Sequence, residues 1–128
     1  MDDKDWHMLA TVFTEDILIH YPEPMDAISG LANVTMALQS QVGHLITQHS
    51  LTTQGINITG ELTADVRTYG RAIHFGVGTL EGQSVTVWGK YDDALVKILV
   101  DGRPAWRISE RRITFQGPFV GNRSLLGV

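Results

Sequence analysis

The stretch that decides the fold is ITQHSLTTQGINITGELTADVRTYGRAIHFG, residues 46–76. Threonine, isoleucine, valine and aromatic residues are frequent in it, and these side chains favour extended backbone. Its middle carries TGEL, where a two-residue loop at Gly60-Glu61 would join two antiparallel strands. In that hairpin His49 faces Ala72, and His74 is its diagonal neighbour on the same face. The stretch therefore predicts two histidines side by side on one face of a sheet.

Turn signals on either side extend the sheet. LEGQ at 80–83 and DGRP at 101–104 each end a run that is typical of a strand. The sequence predicts long antiparallel strands near 44–59, 62–79, 84–99 and 104–116. Before them, apolar spacing predicts helices over about 4–13 and 25–42, with a brief strand at 16–21 between them. Helices that precede a sheet define an α+β class, and the length of 128 residues fits a single domain spanning 1–128.

Two-residue loops at Glu81-Gly82 and Asp101-Gly102 would place further polar side chains on the histidine face. The predicted polar members of this face are His49, His74, Tyr91, Asp93, Glu110 and Arg112. The small residues Gly70, Ala72 and Gly89 lie among them and leave a hollow. Polar groups around a hollow are typical of a small-molecule site. For either histidine alone a structural role is the more frequent explanation, and only the pair favours function.

Composition excludes several functional classes. The chain has no cysteine, which excludes disulfides and thiolate chemistry. A net charge of −4 without a basic patch argues against nucleic-acid binding. No apolar run is long enough to span a membrane, and the acidic start MDDKDW is unlike a signal peptide. We therefore expect a cytoplasmic protein. We also expect no metal site, because neither histidine has a third ligand at metal-site spacing.

Five stretches resemble one known family. They are DDKDWHMLATVFTEDILIHY (2–21), ITQHSL (46–51), YGRAIHFG (69–76), GKYDDALVK (89–97) and AWRISERR (105–112). They resemble the SnoaL-like branch of the nuclear transport factor 2-like superfamily, and within it scytalone dehydratase above all. The resemblance implies a cone-like fold in which N-terminal helices pack on a curved four-stranded antiparallel sheet. Family members usually begin with a helix that closes the cone, and this chain starts just after the expected end of that helix.

The resemblance also implies roles for individual residues. Asp2 matches the pocket aspartate of scytalone dehydratase, and Tyr21 matches one of its two water-holding tyrosines. His49 and His74 match its two pocket histidines. Three pocket positions depart from the dehydratase, where a tyrosine, a serine and an asparagine are replaced by Met1, Asp93 and Leu95. These departures leave the substrate open.

The function expected from these residues is cofactor-independent elimination of water from a small cyclic or polyketide-like molecule. Two imidazoles supply an acid and a base near neutral pH. We expect His49 to be the base, oriented by Asp2, and His74 to be the acid, hydrogen-bonded to Asp93. Tyr21 would polarise a substrate carbonyl. Further substrate contacts are expected from Tyr91, Asp93 and Arg112.

Three alternatives use the same sequence features. The pocket could isomerise a double bond or catalyse a cyclisation, or it could bind a small molecule without turnover. The domain could also serve in dimerisation, and in any case we expect a homo-oligomer, a dimer or trimer. The outer sheet face is predicted to carry Tyr69, Ile73, Phe75, Trp88, Val96, Ile98, Ile113 and Phe115, interrupted by Arg71, Arg107 and Arg111. The C-terminal GPFVGNRSLLGV (117–128) is expected to cover the pocket mouth or contact a second subunit.

Overall fold

A computed structural model describes residues 1–128 and shows an α+β architecture. The single α-helix is α1 (Leu31–Val42), and short 3-10 helices lie at Trp6–Thr11, Gly78–Leu80 and Arg123–Leu126. The strands are β1 (Phe13–His20), β2 (Ile28–Ser29), β3 (Ile46–Ile58), β4 (Thr63–Phe75), β5 (Ser84–Val100), β6 (Arg103–Phe115) and β7 (Val120–Gly121). None of the helices has the length and apolarity that crossing a membrane requires.

The sheet is larger than the sequence predicts. The long strands β3 to β6 form successive antiparallel pairs, which confirms the predicted meander. The full order is β2-β1-β6-β5-β4-β3, with β7 paired to the start of β5. β1 runs parallel to β6, so the sheet is mixed and has seven strands instead of four. The parallel pair joins distant parts of the chain, and local turn signals carry no information about it.

The N-terminal segment forms only a 3-10 helix at Trp6–Thr11 where an α-helix over 4–13 was expected. Lys4 has a φ of 58°, in the left-handed region that a right-handed helix excludes. The carboxylate of Asp2 binds His49 in β3 and does not cap the helix. The strand predicted over 16–21 is β1, and it already starts at Phe13.

α1 begins later than the predicted 25–42 because the first part of that segment is extended. Residues 28–29 form β2 and pair with β1. Gly30 follows with a φ of 90°, which glycine adopts readily, and its N–H donates to the Ile17 carbonyl at 2.8 Å. The helix then buries one face, formed by Val34, Leu38 and Val42.

The β3–β4 hairpin pairs His49 with Ala72, as the sequence predicts. The connection is longer than expected, because the last facing pair is Ile58 with Ala64, and the five residues 59–63 lie between these two positions. An odd loop of this kind shifts the register by one residue. A bulge between Leu51 and Thr53 shifts it back, so the two irregularities cancel at the histidines.

The β4–β5 connection also differs from the expected two-residue turn. It occupies residues 76–83 and contains the 3-10 helix Gly78–Leu80. His74 consequently faces Val85 and not Gly89. The shift is an even number of residues, so His74 and Tyr91 stay on the same face of the sheet.

A bulge in β6 overturns part of the predicted site. The register shifts where Ala94 faces Glu110 and Leu95 faces Ile108, which leaves Ser109 as the extra residue. Beyond the bulge Arg111 faces Asp93, and Arg112 faces Asp92. The predicted positions of Arg112 and Glu110 on the histidine face are therefore wrong. Both side chains lie on the outer face and are exposed.

The same bulge corrects the predicted outer face. Ile113, Phe115 and Arg111 were expected there, but they line the interior of the protein. Phe75 and Trp88 do lie outside and are 42% and 41% exposed.

Two apolar clusters fill the space between the sheet and the elements packed on it. The first contains Leu9, Phe13, Ile17, Ile19, Val34, Leu38 and Ile108. The second contains Val42, Leu45, Val85, Val87, Leu125 and Leu126. The second cluster includes Leu125 and Leu126 of the 3-10 helix Arg123–Leu126, so the C-terminal segment packs onto the interior of the protein. Trp6 contacts both clusters, and members of both line the cavity described next.

Candidate active site

An apolar cavity of about 300 Å³ lies between the two clusters. Most of its wall is aliphatic and aromatic, which is usual for a small-molecule site. The side chains that bring polar atoms to this wall are Tyr21, Gln41, His49, His74, Tyr91 and Arg111. Four of these, Tyr21, His49, His74 and Tyr91, were predicted from the sequence, and the cavity brings them together. Of the small residues predicted to create the hollow, Ala72 lines it.

His49 lines the cavity and is hydrogen-bonded to Asp2, which lies behind it and is not part of the cavity wall. Nδ1 of His49 lies 2.6 Å from Asp2 Oδ1, and the backbone N–H of His49 donates to Asp2 Oδ2 at 2.8 Å. Since a carboxylate only accepts hydrogen bonds, Nδ1 carries a proton, and in the neutral ring Nε2 keeps its lone pair. Burial alone would raise the pKa of Asp2, but the hydrogen bonds from His49 and Thr47 outweigh it and hold the pKa below its usual value. Asp2 is therefore a carboxylate at neutral pH.

His74 lies beside His49 in a different environment. The ring centroids are 6.3 Å apart, and the ring planes are almost perpendicular. His74 is 6% exposed, and its Nδ1 donates to the Val85 carbonyl at 3.2 Å, because a carbonyl can only accept. The predicted bond to Asp93 is absent, since Asp93 binds Arg111. Nε2 of His74 is thus also a free acceptor in the neutral ring.

The pKa of His74 is lowered mainly by burial, which disfavours the charged imidazolium. The charges of His49 and Lys4 act in the same direction, while the Val85 carbonyl and Asp2 oppose the shift. Neutral His74 is the stable form in the folded protein at neutral pH.

This shift gives a testable dependence of stability on pH. The unfolded chain binds a proton at His74 near the ordinary value of 6.5, while the folded chain resists it. The contribution of neutral His74 to the free energy of unfolding is therefore fully present above about pH 6.5, and it decreases as the pH falls towards the folded-state pKa. We expect urea midpoints to fall between about pH 7.5 and about pH 5.5, and to fall less in His74→Gln. His7→Gln, at an exposed position, should keep the wild-type slope, and equal slopes in all three proteins would contradict this account.

Tyr21 and Tyr91 present phenol groups to the cavity. Burial raises the pKa of Tyr21, with a smaller effect in the same direction from Tyr91 and an opposing one from Arg111. Burial likewise raises the pKa of Tyr91, with Arg111 again opposing and Asp93 adding to the increase. Both phenols stay protonated and can donate hydrogen bonds to a ligand oxygen.

Arg111 is the one charged side chain of the cavity wall, and the sequence prediction missed it. Its Nε and Nη2 donate to the two oxygens of Asp93, each at 2.8 Å. The guanidinium carbon lies 4.1 Å from the centroid of the Tyr91 ring and 5.4 Å from that of Phe13. The bond to Asp93 and the two rings hold the guanidinium in place, and three of its five N–H donors remain for other partners.

The predicted substrate contacts are thereby revised. Arg112 points away from the cavity, and Arg111 takes the place expected for it. Asp93 is 5% exposed and engaged by Arg111, so it positions that guanidinium and does not line the wall. The sequence contains a signal for the bulge in β6. Ile108 and Ile113 both point into the protein although their numbers differ in parity, which regular alternation along a strand does not allow.

Other residues of the wall were also missed. Gln41 and Leu38 come from α1, Met25 from the loop before it, and Phe119 and Leu126 from the C-terminal segment. Apolar spacing marked the α1 face as a core face, and nothing in that pattern separates a core residue from a cavity residue. Only the C-terminal segment had been expected near the mouth.

Fold and site together define a class of protein. It is an α+β domain whose mixed sheet encloses an apolar cavity with two histidines, two phenols and a guanidinium at the wall. One of the histidines is paired with a carboxylate behind the wall. The sequence pattern of the SnoaL-like domain family matches residues 1–112. The chain belongs to this family, which confirms the resemblance to the nuclear transport factor 2-like superfamily.

Solved structures show the same cone-like fold. Kfla4162 from Kribbella flavida is 22% identical, with a TM-score of 0.84 over 99% of this chain and 86% of its own. A candidate scytalone dehydratase from Novosphingobium aromaticivorans is 25% identical, with a TM-score of 0.77 over 94% of this chain and 76% of its own. Hexachlorocyclohexane dehydrochlorinase LinA-type3 from Novosphingobium barchaimii is 15% identical, with a TM-score of 0.72 over 94% of this chain and 79% of its own. The sequence has no significant match among proteins of curated function.

Proposed function

We propose that the protein is a cofactor-independent dehydratase-type lyase that removes water from a small cyclic or polyketide-like β-hydroxy carbonyl compound. The observation that carries this proposal is the orientation of His49. Its Nδ1–H is fixed on the Asp2 carboxylate, which leaves Nε2 as a base at the wall of an apolar cavity. A base held in this way is suited to take a proton from the carbon next to a carbonyl.

The other polar groups match the remaining demands of an elimination. Removing the proton makes an enolate, whose oxygen needs hydrogen-bond donors, and Tyr21 and Arg111 are donors at the same wall. The proton on His49 then passes to the departing hydroxyl, the carbon–oxygen bond breaks, and water leaves as the double bond forms. Asp2 stabilises the imidazolium during this sequence. No oxidant, metal or cofactor is required for these steps.

The proposed role of His74 differs from the acid expected from the sequence. Its buried ring is held neutral, and its Nδ1–H is used on Val85, so Nε2 can only accept a hydrogen bond. We assign it to bind a hydroxyl group of the substrate and orient that hydroxyl beside His49. Tyr91 adds a phenol donor next to Arg111. A substrate with both hydroxyl and carbonyl groups on a compact ring would use all of these contacts.

The relatives add support for an elimination. Two of the similar folds are a candidate scytalone dehydratase and a hexachlorocyclohexane dehydrochlorinase, and both names describe an elimination, of water in the first and of hydrogen chloride in the second. The cavity of about 300 Å³ suits a ligand of one or two rings.

The test is product analysis with a panel of cyclic β-hydroxy ketones. We expect at least one to lose a single water, detected by mass spectrometry, and to exchange its α-proton with deuterated solvent. A product of unchanged mass would instead identify an isomerase or cyclase. Thermal stabilisation by a ligand without any product would identify a binding protein, and either result would overturn the lyase proposal.

A further inference from the structure

We propose that Thr47 and Lys4 are positioning residues for the His49–Asp2 pair, with the Thr47 hydroxyl as the link between the Lys4 ammonium and the Asp2 carboxylate. This inference rests on the proposed function, in which His49 is the base. Neither residue lines the cavity, so both would act through Asp2 and not on the substrate.

The direction of each hydrogen bond in this chain is fixed by chemistry. Nζ of Lys4 donates to Thr47 Oγ1 at 2.8 Å, because an ammonium has no acceptor. The Thr47 hydroxyl lies 2.9 Å from Asp2 Oδ1 and must donate to it, because the carboxylate has no proton. A hydroxyl free of Lys4 could rotate, but the Lys4 donor occupies one of its two lone pairs and favours the rotamer in which its proton is directed at Asp2.

Asp2 Oδ1 therefore accepts two hydrogen bonds, from Thr47 and from Nδ1 of His49. Oδ2 accepts a third from the backbone N–H of His49. Three donors from two residues of β3 hold both carboxylate oxygens, so the carboxylate cannot turn without losing at least one of them. The plane of the carboxylate sets the orientation of the His49 ring, which in turn sets the position of the Nε2 base.

The place of Thr47 in the sheet strengthens this assignment. It lies two residues before His49 on the same face of β3, and it faces His74 across the β3–β4 pair. It is 6% exposed, and a buried hydroxyl needs its hydrogen bonds satisfied. Here both its donor and its acceptor capacities are used within the site.

Lys4 reaches Thr47 through an uncommon backbone conformation. Its φ of 58° costs free energy for a residue other than glycine, and such conformations often occur near functional sites. Its charge has a second effect, because it is among the causes that lower the pKa of His74, after burial. The Lys4 ammonium and the Asp2 carboxylate also attract each other, so one ammonium acts on both Asp2 and His74.

The test compares Thr47→Val with Thr47→Ser, and Lys4→Met with Lys4→Arg. Carboxyl carbon NMR titration follows Asp2 directly and requires no substrate. We expect the pKa of Asp2 to rise in Thr47→Val, which loses one donor, and to stay at the wild-type value in Thr47→Ser. Thr53→Val, an exposed position on the same strand, is the matched control and should leave Asp2 unchanged.

With a substrate in hand, Thr47→Val should lower kcat by about 10-fold or more with little change in KM. Lys4→Met should also lower kcat, and Thr47→Ser should have the wild-type kcat. Lys4→Met leaves the sheet interior intact and so covers the case in which Thr47→Val does not fold. An Asp2 titration that is identical in wild type, Thr47→Val and Lys4→Met would overturn the inference. If the Asp2 pKa shifts in the variants but the wild-type protein turns over no substrate, the hydrogen-bond network is supported and only the lyase proposal is rejected.

Discussion

His49→Ala is expected to lower kcat/KM by about 10²–10⁴-fold, the range that a well-placed acid or base contributes. The variant removes the only imidazole whose Nδ1–H rests on a carboxylate at the cavity wall. Asp2 stays behind without the ring, and its own oxygens are already committed to Thr47 and the backbone of residue 49. We do not expect His74 to take over as base, because burial lowers its pKa and makes it a weaker base, and its ring plane is almost perpendicular to that of His49.

The measurement is the initial rate of water loss from the best substrate of the panel, with folding verified by circular dichroism. His7→Ala is the matched control, since His7 is exposed and outside the cavity, and it should retain the wild-type rate. A folded His49→Ala protein with a rate within a few-fold of wild type would exclude His49 as the base.

The relation between His49 and His74 was predictable because it depends on parity. Side chains alternate between the two faces of a strand, so any even change of register keeps two residues on the same face. The β4–β5 connection turned out longer than expected, yet it moved the partner of His74 from Gly89 to Val85, an even number of positions. In the first hairpin an odd loop and a bulge offset each other. The prediction that the two histidines share one face is therefore confirmed, although the predicted loop lengths were wrong.

The position of Arg111 could not be predicted from parity and turn signals. One extra residue at Ser109 exchanges the two faces of β6, and it moves Arg111 inwards and Arg112 outwards. Turn dipeptides fix the register at the DGRP end of the hairpin, where Val100 faces Arg103 as predicted, but they say nothing about a bulge further along. The contact between β1 and β6 is likewise invisible to local signals, since it joins distant segments.

Asp2 is a third kind of case. Its spacing to His49 along the chain contains no pattern that local structure could explain, and it entered the predicted site only through the family resemblance. The structure places its carboxylate 2.6 Å from Nδ1 of His49, and Lys4, two residues further on, has a positive φ. The N-terminal segment thus supplies a residue of the site that the sheet alone does not provide.

The two histidines illustrate how neighbouring identical groups acquire different roles. His49 rests on the Asp2 carboxylate, which in the proposed mechanism stabilises the imidazolium. His74 donates its Nδ1–H to the Val85 carbonyl, and burial outweighs the opposing effect of that carbonyl and keeps the ring neutral. The two rings, whose centroids are 6.3 Å apart, therefore differ in the partner of Nδ1, and His74 is the one whose pKa burial lowers. The assignment of one as base and the other as acceptor follows from this difference.

Arg111→Ala is expected to destabilise the protein by about 3–5 kcal/mol, the usual loss when one partner of a buried ion pair is removed. The Asp93 side chain is only 4% exposed, and Arg111 supplies both of its charged hydrogen bonds. Without Arg111 the carboxylate would be buried and unpaired, and the Tyr91 ring would lose the guanidinium that stacks on it. Urea unfolding at neutral pH measures the free energy directly.

Neighbouring variants separate the contributions to that loss. Arg67→Ala breaks the exposed pair with Asp92 one position away on the outer face, and it should change the urea midpoint little. Arg111→Lys keeps the charge but not the two-pronged hydrogen bonds, so its stability should lie between those of wild type and Arg111→Ala. The double variant Arg111→Leu with Asp93→Leu removes both charges, and it should recover part of the stability lost in Arg111→Ala because no unpaired carboxylate remains. If Arg111→Ala costs no more than Arg67→Ala, the carboxylate of Asp93 is reached by water in solution, and Arg111 is not held rigidly at the cavity wall.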